Sequence, residues 1–122
     1  RIMPLTDLEE ALTRIEQIVR DSGIKGVKVE PFEKCEPSYQ DPRAPIVQLT
    51  KKCVLQAWGK EPTLLIQPGA TDARFIRNKL GIPAVCFGPA SETAHSANEY
   101  VMKKDLTLCS KAYALIAMEF LL

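Results

Sequence analysis

The first 34 residues combine one amphipathic helical pattern with one alternating segment. Thr6 and Glu9 have the spacing of a capping box, and apolar residues then recur on one helical face until Gly23. Those apolar residues are Leu8, Leu12, Ile15, Ile18 and Val19. Val27–Glu30 alternates like a half-buried strand and stops at Pro31. The pattern predicts a short α+β unit whose helix covers another surface.

A proline-rich stretch separates this unit from the rest of the chain. Residues 35–45 contain Pro37, Pro42 and Pro45 among polar residues, and such a composition is typical of a linker. We therefore predict one domain over residues 1–34 and a second over residues 35–122. The start of the chain, with its internal Met3, indicates a piece of a longer protein.

The second part alternates helical and continuous apolar patterns. Helices are predicted over residues 46–58 and 72–80 and from about Asp105 onward. Two apolar runs, Leu64–Ile66 and Ile82–Phe87, flank the middle helix. Strands that are apolar on both faces and joined by a helix indicate a βαβ unit in a covered parallel sheet. The predicted fold class is therefore α/β.

Composition and charge exclude several classes of protein. The 122 residues are 46% hydrophobic and 25% charged, and 16 basic residues nearly balance 15 acidic ones. The chain thus lacks the basic stripe of a nucleic-acid binder, and no apolar run is long enough to cross a membrane. The four cysteines show no CxxC spacing, which is typical of reduced cysteines in a cytosolic protein. We expect a cytoplasmic globular protein.

The loop after the first apolar run has the composition of a carboxylate site. Ligands of open α/β sheets bind beyond the carboxyl ends of the strands. Residues 69–74 form a glycine turn that enters a helix and carries Thr71 and Arg74. Backbone N–H groups, a hydroxyl and a guanidinium fork suit a carboxylate. The alternative is structural: Thr71 or Asp72 caps the helix, and Arg74 pairs with Asp72 at the surface.

The loop after the second apolar run, residues 88–100, holds the only histidine of the chain, His95. An imidazole there suits a metal ligand or a proton shuttle, although a single loop histidine is more often structural. Glu92 lies three residues earlier, but this stretch lacks the helical pattern that would bring the two side chains together. Cys86, inside an apolar run, is a poor candidate for a nucleophile.

The strings GATDARFIRNKLGIPAVCFGP and AHSANEYV together resemble the C-terminal segment of a zinc peptidase and deacylase family. That family includes acetylornithine deacetylase, succinyl-diaminopimelate desuccinylase, aminoacylase and carboxypeptidase G. The resemblance extends from about Pro62 to the end. It implies that His95 ligates zinc and that a turn with Ala70, Thr71 and Arg74 faces the acyl or carboxylate end of the substrate. For Asn98 and Glu99, which belong to the same matching string, the preferred interpretation is that they only hold the histidine loop in place.

The resemblance also defines the expected architecture. Residues 35–122 would be the C-terminal part of a zinc exopeptidase-like domain, with a mixed, mostly parallel sheet covered by helices. Residues 1–34 would be the second half of an α+β lid or dimerisation domain. The family's other ligands and its glutamate general base come from an N-terminal half that these residues lack. Two zinc ions, with cobalt or manganese as alternatives, would thus bind only in the complete enzyme.

The resemblance implies a metal-dependent amide hydrolase that removes acetyl or succinyl groups from N-acyl amino acids. The isolated chain is then expected to be inactive, and the complete enzyme to form a homodimer through the lid. Nucleic acids and membranes are not expected partners. Three alternatives remain: a dipeptidase or carboxypeptidase of the same family, a non-catalytic dimerisation or interaction module, and a small anion-binding domain without metal.

Overall fold

The structure is a computed structural model that describes residues 7–32, 35–67, 69–89 and 91–122. Four helices organise these residues, joined by extended segments and turns. In chain order they are α1, Leu8–Asp21; α2, Pro45–Trp58; α3, Ala73–Leu80; and α4, Lys103–Leu121.

Helix α1 begins at a side-chain cap. The Asp7 carboxylate accepts a hydrogen bond of 2.8 Å from the Glu10 N–H, which satisfies one of the free donors of the first turn. The capping box predicted from Thr6 is not the observed cap, and Thr6 itself lies outside the described residues. None of the residues of α1 is buried; Ile15 and Ile18 keep 47% and 61% of their surface exposed. The predicted amphipathic helix is confirmed, but its apolar face has no cover within the described residues.

The packed core lies between α2 and α4, the one pair of helices in contact among the described elements. Val54 and Ala57 of α2 meet Ala112 of α4, which is fully buried. Trp58 and Phe87 pack against this cluster. A 2.6 Å ion pair between Lys52 and Glu119 joins the same two helices at the surface, where it contributes little to stability.

The sheet of the predicted α/β fold is absent from the described residues. Val27–Glu30, Leu64–Ile66 and Ile82–Phe87 contain no strand. Leu65 remains 84% exposed, so the first apolar run is not covered. The described part of the chain is helical, and the prediction of a mixed parallel sheet for residues 35–122 and of an α+β unit for residues 1–34 is wrong.

The physical reason is visible along the second apolar run. A strand needs free backbone groups that face those of a neighbour, and several here have other partners. The Ile82 N–H closes the end of α3 by donating to the Ile76 carbonyl at 3.2 Å. The Ala84 N–H donates to the Gln40 side chain at 3.0 Å, and the Phe87 carbonyl accepts from the Tyr113 hydroxyl. Apolar runs predict which residues favour burial. They do not predict which backbone N–H and carbonyl groups form hydrogen bonds with each other.

The linker predicted over residues 35–45 is non-helical up to the start of α2. It makes hydrogen bonds to the later part of the chain. The Asn78 amide of α3 donates to the Pro37 carbonyl at 3.2 Å, in addition to the contact from Gln40 to Ala84. The division into domains 1–34 and 35–122 stays a prediction.

Within the residues that the structure describes, no helix combines the length and the apolar character needed to span a membrane.

Substitution of Ala112 by leucine is expected to destabilise the α2–α4 pair. Ala112 has no exposed surface, so three added carbon atoms must displace Val54 or Ala57. Such overpacking costs about 1–3 kcal/mol in the free energy of unfolding. The measurement is urea unfolding of this chain followed by helical circular dichroism. Ala114→Leu, at an exposed position of the same helix, is the matched control and should change stability by less than about 0.5 kcal/mol. Equal effects of the two variants would contradict the described packing.

Candidate functional site

In the turn before α3, the Thr71 hydroxyl contacts a residue that the sequence did not indicate. Thr71 is half-buried, and its Oγ1 lies 3.1 Å from Sγ of Cys86. Asp72 occupies the N-cap position of α3, but its side chain makes no capping hydrogen bond. Ala70 is exposed beside them. The structural alternative, in which Thr71 or Asp72 caps the helix, is therefore not what the structure shows.

Arg74 lies in the first turn of α3, and its guanidinium carbon is 4.6 Å from the centre of the Phe75 ring. Its Nε is buried and has no hydrogen-bond partner among the described residues. A buried donor without a partner costs about 1–3 kcal/mol, so the group favours any acceptor that reaches it. Arg77 has the same buried, unpartnered Nε, although no sequence pattern singled it out.

The His95 loop is shaped by two residues in the left-handed region. His95 has φ 63° and Asn98 has φ 60°, a backbone conformation that histidine and asparagine adopt more readily than most residues. The His95 N–H donates to Oε2 of Glu99 at 3.2 Å. Glu99 thus holds the loop through the backbone of His95, while the His95 side chain is exposed.

Thr93 organises the same loop, and the sequence reasoning missed it. Its Oγ1 is 2.7 Å from the hydroxyl of Ser91 and accepts from the Tyr100 N–H at 3.1 Å. The Thr93 carbonyl accepts from the Ser96 hydroxyl at 2.6 Å. Short-range hydroxyl to backbone bonds of this kind are typical of serine and threonine in turns, so the spacing of these residues was the available signal.

The four cysteines, all within the described residues, form no disulfide. Burial raises the pKa of the thiols of Cys53 and Cys109, which disfavours the reactive thiolate. Cys86 is exposed, so the expectation that it lies inside an apolar strand is wrong.

Burial, and then the nearby thiols of Cys109 and Cys86, raise the pKa of the Tyr113 phenol. Tyr113 thus remains a neutral hydrogen-bond donor.

No group of three or more His, Cys, Asp or Glu side chains suitable for a metal ion occurs in the described part of the chain. The imidazole of His95 is a suitable zinc ligand, but a catalytic zinc ion needs about three protein ligands. Among the described candidates for that role, His95 would fill at most one ligand position.

A cavity of about 340 Å³ lies elsewhere, between the end of α2 and the start of α4. Trp58 and Phe87 form its apolar wall, and Lys60, Glu61 and Asp105 contribute charges. None of the predicted site residues lines this cavity.

The structure thus pairs Thr71 with Cys86 and His95 with Glu99. Within the described ranges, no hydrogen bond or ion pair joins the turn of Thr71 and Arg74 to the His95 loop.

Comparisons with known proteins identify relatives along the whole chain. A succinyl-diaminopimelate desuccinylase of Nitrosomonas eutropha is 28% identical over 122 residues, which cover 100% of this chain and 32% of the relative. The enzyme of the same name from Nitrosospira multiformis is 34% identical over 91 residues, or 75% of this chain and 24% of the relative. That of Rickettsia massiliae is 43% identical over 67 residues, 50% of this chain and 17% of the relative.

The chain spans about a third or less of the length of these curated relatives. No solved structure matches it. The model of peptidase family M20/M25/M40 matches residues 6–119, a range that includes both the Thr71 turn and the His95 loop. The chain therefore belongs to peptidase family M20/M25/M40, a family of hydrolases that are generally metal-dependent.

Proposed function

We propose that the full-length protein is a zinc-dependent amide hydrolase that removes an acyl group from an N-acyl amino acid. His95 contributes one metal ligand in this proposal. The turn with Ala70, Thr71 and Arg74 binds a carboxylate of the substrate. Family membership supports the hydrolase class, and the names of the relatives favour a succinyl group over an acetyl group.

The observation that carries the proposal is the geometry of the His95 loop. The loop fixes His95 in a left-handed conformation and ties its backbone N–H to Glu99. No hydrogen bond within the described residues engages its imidazole, which is exposed. A ligand whose backbone is held while its ring nitrogens stay available is suited to complete a metal site supplied by other parts of the protein.

Each segment then has a separate task. When bound, zinc would polarise the scissile amide and lower the pKa of a water molecule. His95 would bind the zinc ion through one ring nitrogen. Glu99 would keep the His95 backbone in place. Asn98 would supply the second left-handed residue that the loop needs. Thr71 and Arg74 would donate to the substrate carboxylate and so fix the amide relative to the metal.

A bidentate guanidinium suits a carboxylate better than a neutral acyl group. The half-buried Arg74, with its unpartnered Nε, therefore supports a substrate with a carboxylate in reach of α3. A succinyl group carries such a carboxylate at its free end, and every amino acid carries another.

Homodimer formation belongs to the same proposal. The exposed apolar side chains of Ile15 and Ile18 on α1 favour cover by a second copy. The same face supports the second candidate function, a non-catalytic interaction module.

A cytoplasmic location is part of the first proposal and agrees with the absence of disulfides among the four described cysteines.

The experiment is release of primary amine by the full-length protein from N-succinyl-diaminopimelate and from N-acetylornithine, with and without added zinc. We expect zinc-dependent hydrolysis of the succinyl substrate at a kcat/KM at least about tenfold higher. The isolated 122-residue chain should be inactive, because its described residues hold no metal cluster. Hydrolysis that persists in excess chelator would exclude the metal mechanism. Preference for N-acetylornithine would reject the succinyl assignment, and no hydrolysis of either would favour the interaction module.

A further inference from the structure

Cys86 is the residue that contacts the hydroxyl of the Thr71 turn. The two are fifteen positions apart, and their oxygen and sulfur atoms are separated by 3.1 Å. Cys86 is exposed, whereas Cys53 and Cys109 are buried in the α2–α4 core. The thiol is therefore not a packing residue, and its described polar contact is with Thr71.

The direction of this hydrogen bond decides what Thr71 can do. A threonine hydroxyl has a single proton to donate but can accept two hydrogen bonds, and a thiol is a weak donor and a weak acceptor. If Thr71 donates to the sulfur, its only proton is used. If the thiol donates to Oγ1, the Thr71 proton stays available for a ligand. An ionised carboxylate only accepts, so a bound carboxylate selects the second arrangement.

The residue after Cys86 is held by the core. The next residue, Phe87, accepts a hydrogen bond at its carbonyl from the Tyr113 hydroxyl of α4. Its ring centre lies 5.5 Å from that of Tyr113 and 5.6 Å from that of Trp58, distances typical of favourable aromatic pairs. The backbone next to Cys86 is thus anchored to α2 and α4 independently of any ligand at Thr71.

We infer that Cys86 is a positioning residue for Thr71, whose S–H donates to the Thr71 hydroxyl and turns the proton of that hydroxyl toward a substrate carboxylate. The inference rests on the proposed function, because it requires that the turn bind a carboxylate. It adds a specificity-determining contact that comes from the segment after α3. The order of the hydrogen bonds is thiol to hydroxyl to carboxylate, and each polarises the next.

The test compares Cys86→Ala with Cys86→Ser in the full-length protein. The substrates are N-succinyl-diaminopimelate and three analogues that each lack one of its three carboxylates: the N-acetyl compound and the two monocarboxamides of the diaminopimelate half. Cys86→Ala should raise KM for the parent substrate about three- to tenfold with little change in kcat, as expected for one hydrogen bond lost equally in ground and transition states. Serine, which retains a donor, should restore KM to within about twofold.

The effect should also disappear with one of the three analogues, the one that lacks the carboxylate bound by Thr71. In a Thr71→Val background, Cys86→Ala should cause no further rise in KM, because the two residues act through one contact. An unchanged KM in Cys86→Ala overturns the inference while leaving the proposed function intact, and so does an equal rise with all four substrates. Absence of hydrolysis by the wild-type protein overturns the proposed function and the role of Cys86 with it.

Discussion

Replacement of His95 by asparagine in the full-length protein is expected to release bound zinc and to lower kcat/KM on the order of a thousandfold. A metal ion contributes several kcal/mol to transition-state stabilisation, and each 1.36 kcal/mol corresponds to a factor of ten in rate. Loss of one ligand from a site with about three protein ligands removes most of that contribution. Metal content by mass spectrometry and initial rates on the succinyl substrate are the measurements.

Asparagine is the informative substitution because of the backbone at this position. His95 has φ 63°, and asparagine tolerates this conformation at lower cost than alanine does. His95→Asn therefore removes the imidazole while it retains the shape of the loop. His95→Ala removes the imidazole and also disfavours the left-handed conformation that shapes the loop. Loss of metal in both variants identifies His95 as a ligand, whereas loss in His95→Ala alone would show that the residue only shapes the loop.

Glu92 offers a matched control within the same loop. It is exposed and lies three residues before His95, so it is the nearby carboxylate that a purely local metal pair would use. Glu92→Gln should retain the metal and the activity of the wild type. If Glu92→Gln lost zinc as completely as His95→Asn, the ligand set would include both residues, and the two side chains would form a local metal pair after all.

The helices were predictable because their signals are local. Spacing of apolar residues and the glycines after them predicted helices over residues 46–58 and 72–80, and the structure has Pro45–Trp58 and Ala73–Leu80. Gly59 and Gly81 end them in left-handed conformations, where glycine costs least. The last helix begins at Lys103, two residues before its predicted start.

Contacts between distant segments were not predictable in the same way. The run Ile82–Phe87 was predicted as a strand from its composition, but the side chains of Gln40 and Tyr113 occupy backbone groups that a ladder would use. The contact of Thr71 with Cys86 joins positions that no periodicity relates. Sequence patterns identify residue types and local geometry, whereas such pairings depend on how the α2–α4 core places the segment after α3.

The candidate site illustrates the same limit. The functional roles of Ala70, Thr71, Arg74 and His95 come from a resemblance between sequences, and they stay predictions. The structure adds the surroundings: the sulfur beside Thr71, the unpartnered Nε of Arg74 and the Glu99 carboxylate on the His95 backbone. These surroundings determine which substitutions separate one role from another.

Arg74→Ala is expected to lower kcat/KM for the succinyl substrate about 10- to 100-fold while the metal content stays that of the wild type. Loss of hydrogen bonding to a charged group costs about 1.5–3 kcal/mol in total, which corresponds to this range at 1.36 kcal/mol per factor of ten. The guanidinium is the planar group best suited to hold both carboxylate oxygens. Arg74→Lys keeps the charge but loses the fork, so it should recover only part of the activity. An analogue that lacks the bound carboxylate should be cleaved equally by wild type and Arg74→Ala.

Arg77→Ala is the matched control for Arg74→Ala, because it separates a general loss of charge and packing from the loss of a substrate contact. Arg77 lies one turn later on α3 and shares the half-buried setting and the unpartnered Nε, so its removal reproduces the loss of charge and packing. Residues three positions apart lie on nearly the same face of a helix, but Arg77 lies about 4.5 Å farther than Arg74 along the axis of α3, away from the turn that holds Thr71. Arg77→Ala should therefore change kcat/KM by less than about threefold. If both variants lost activity equally, for every substrate and with a lower unfolding midpoint, Arg74 would be a structural residue of α3, and the carboxylate would have to bind elsewhere.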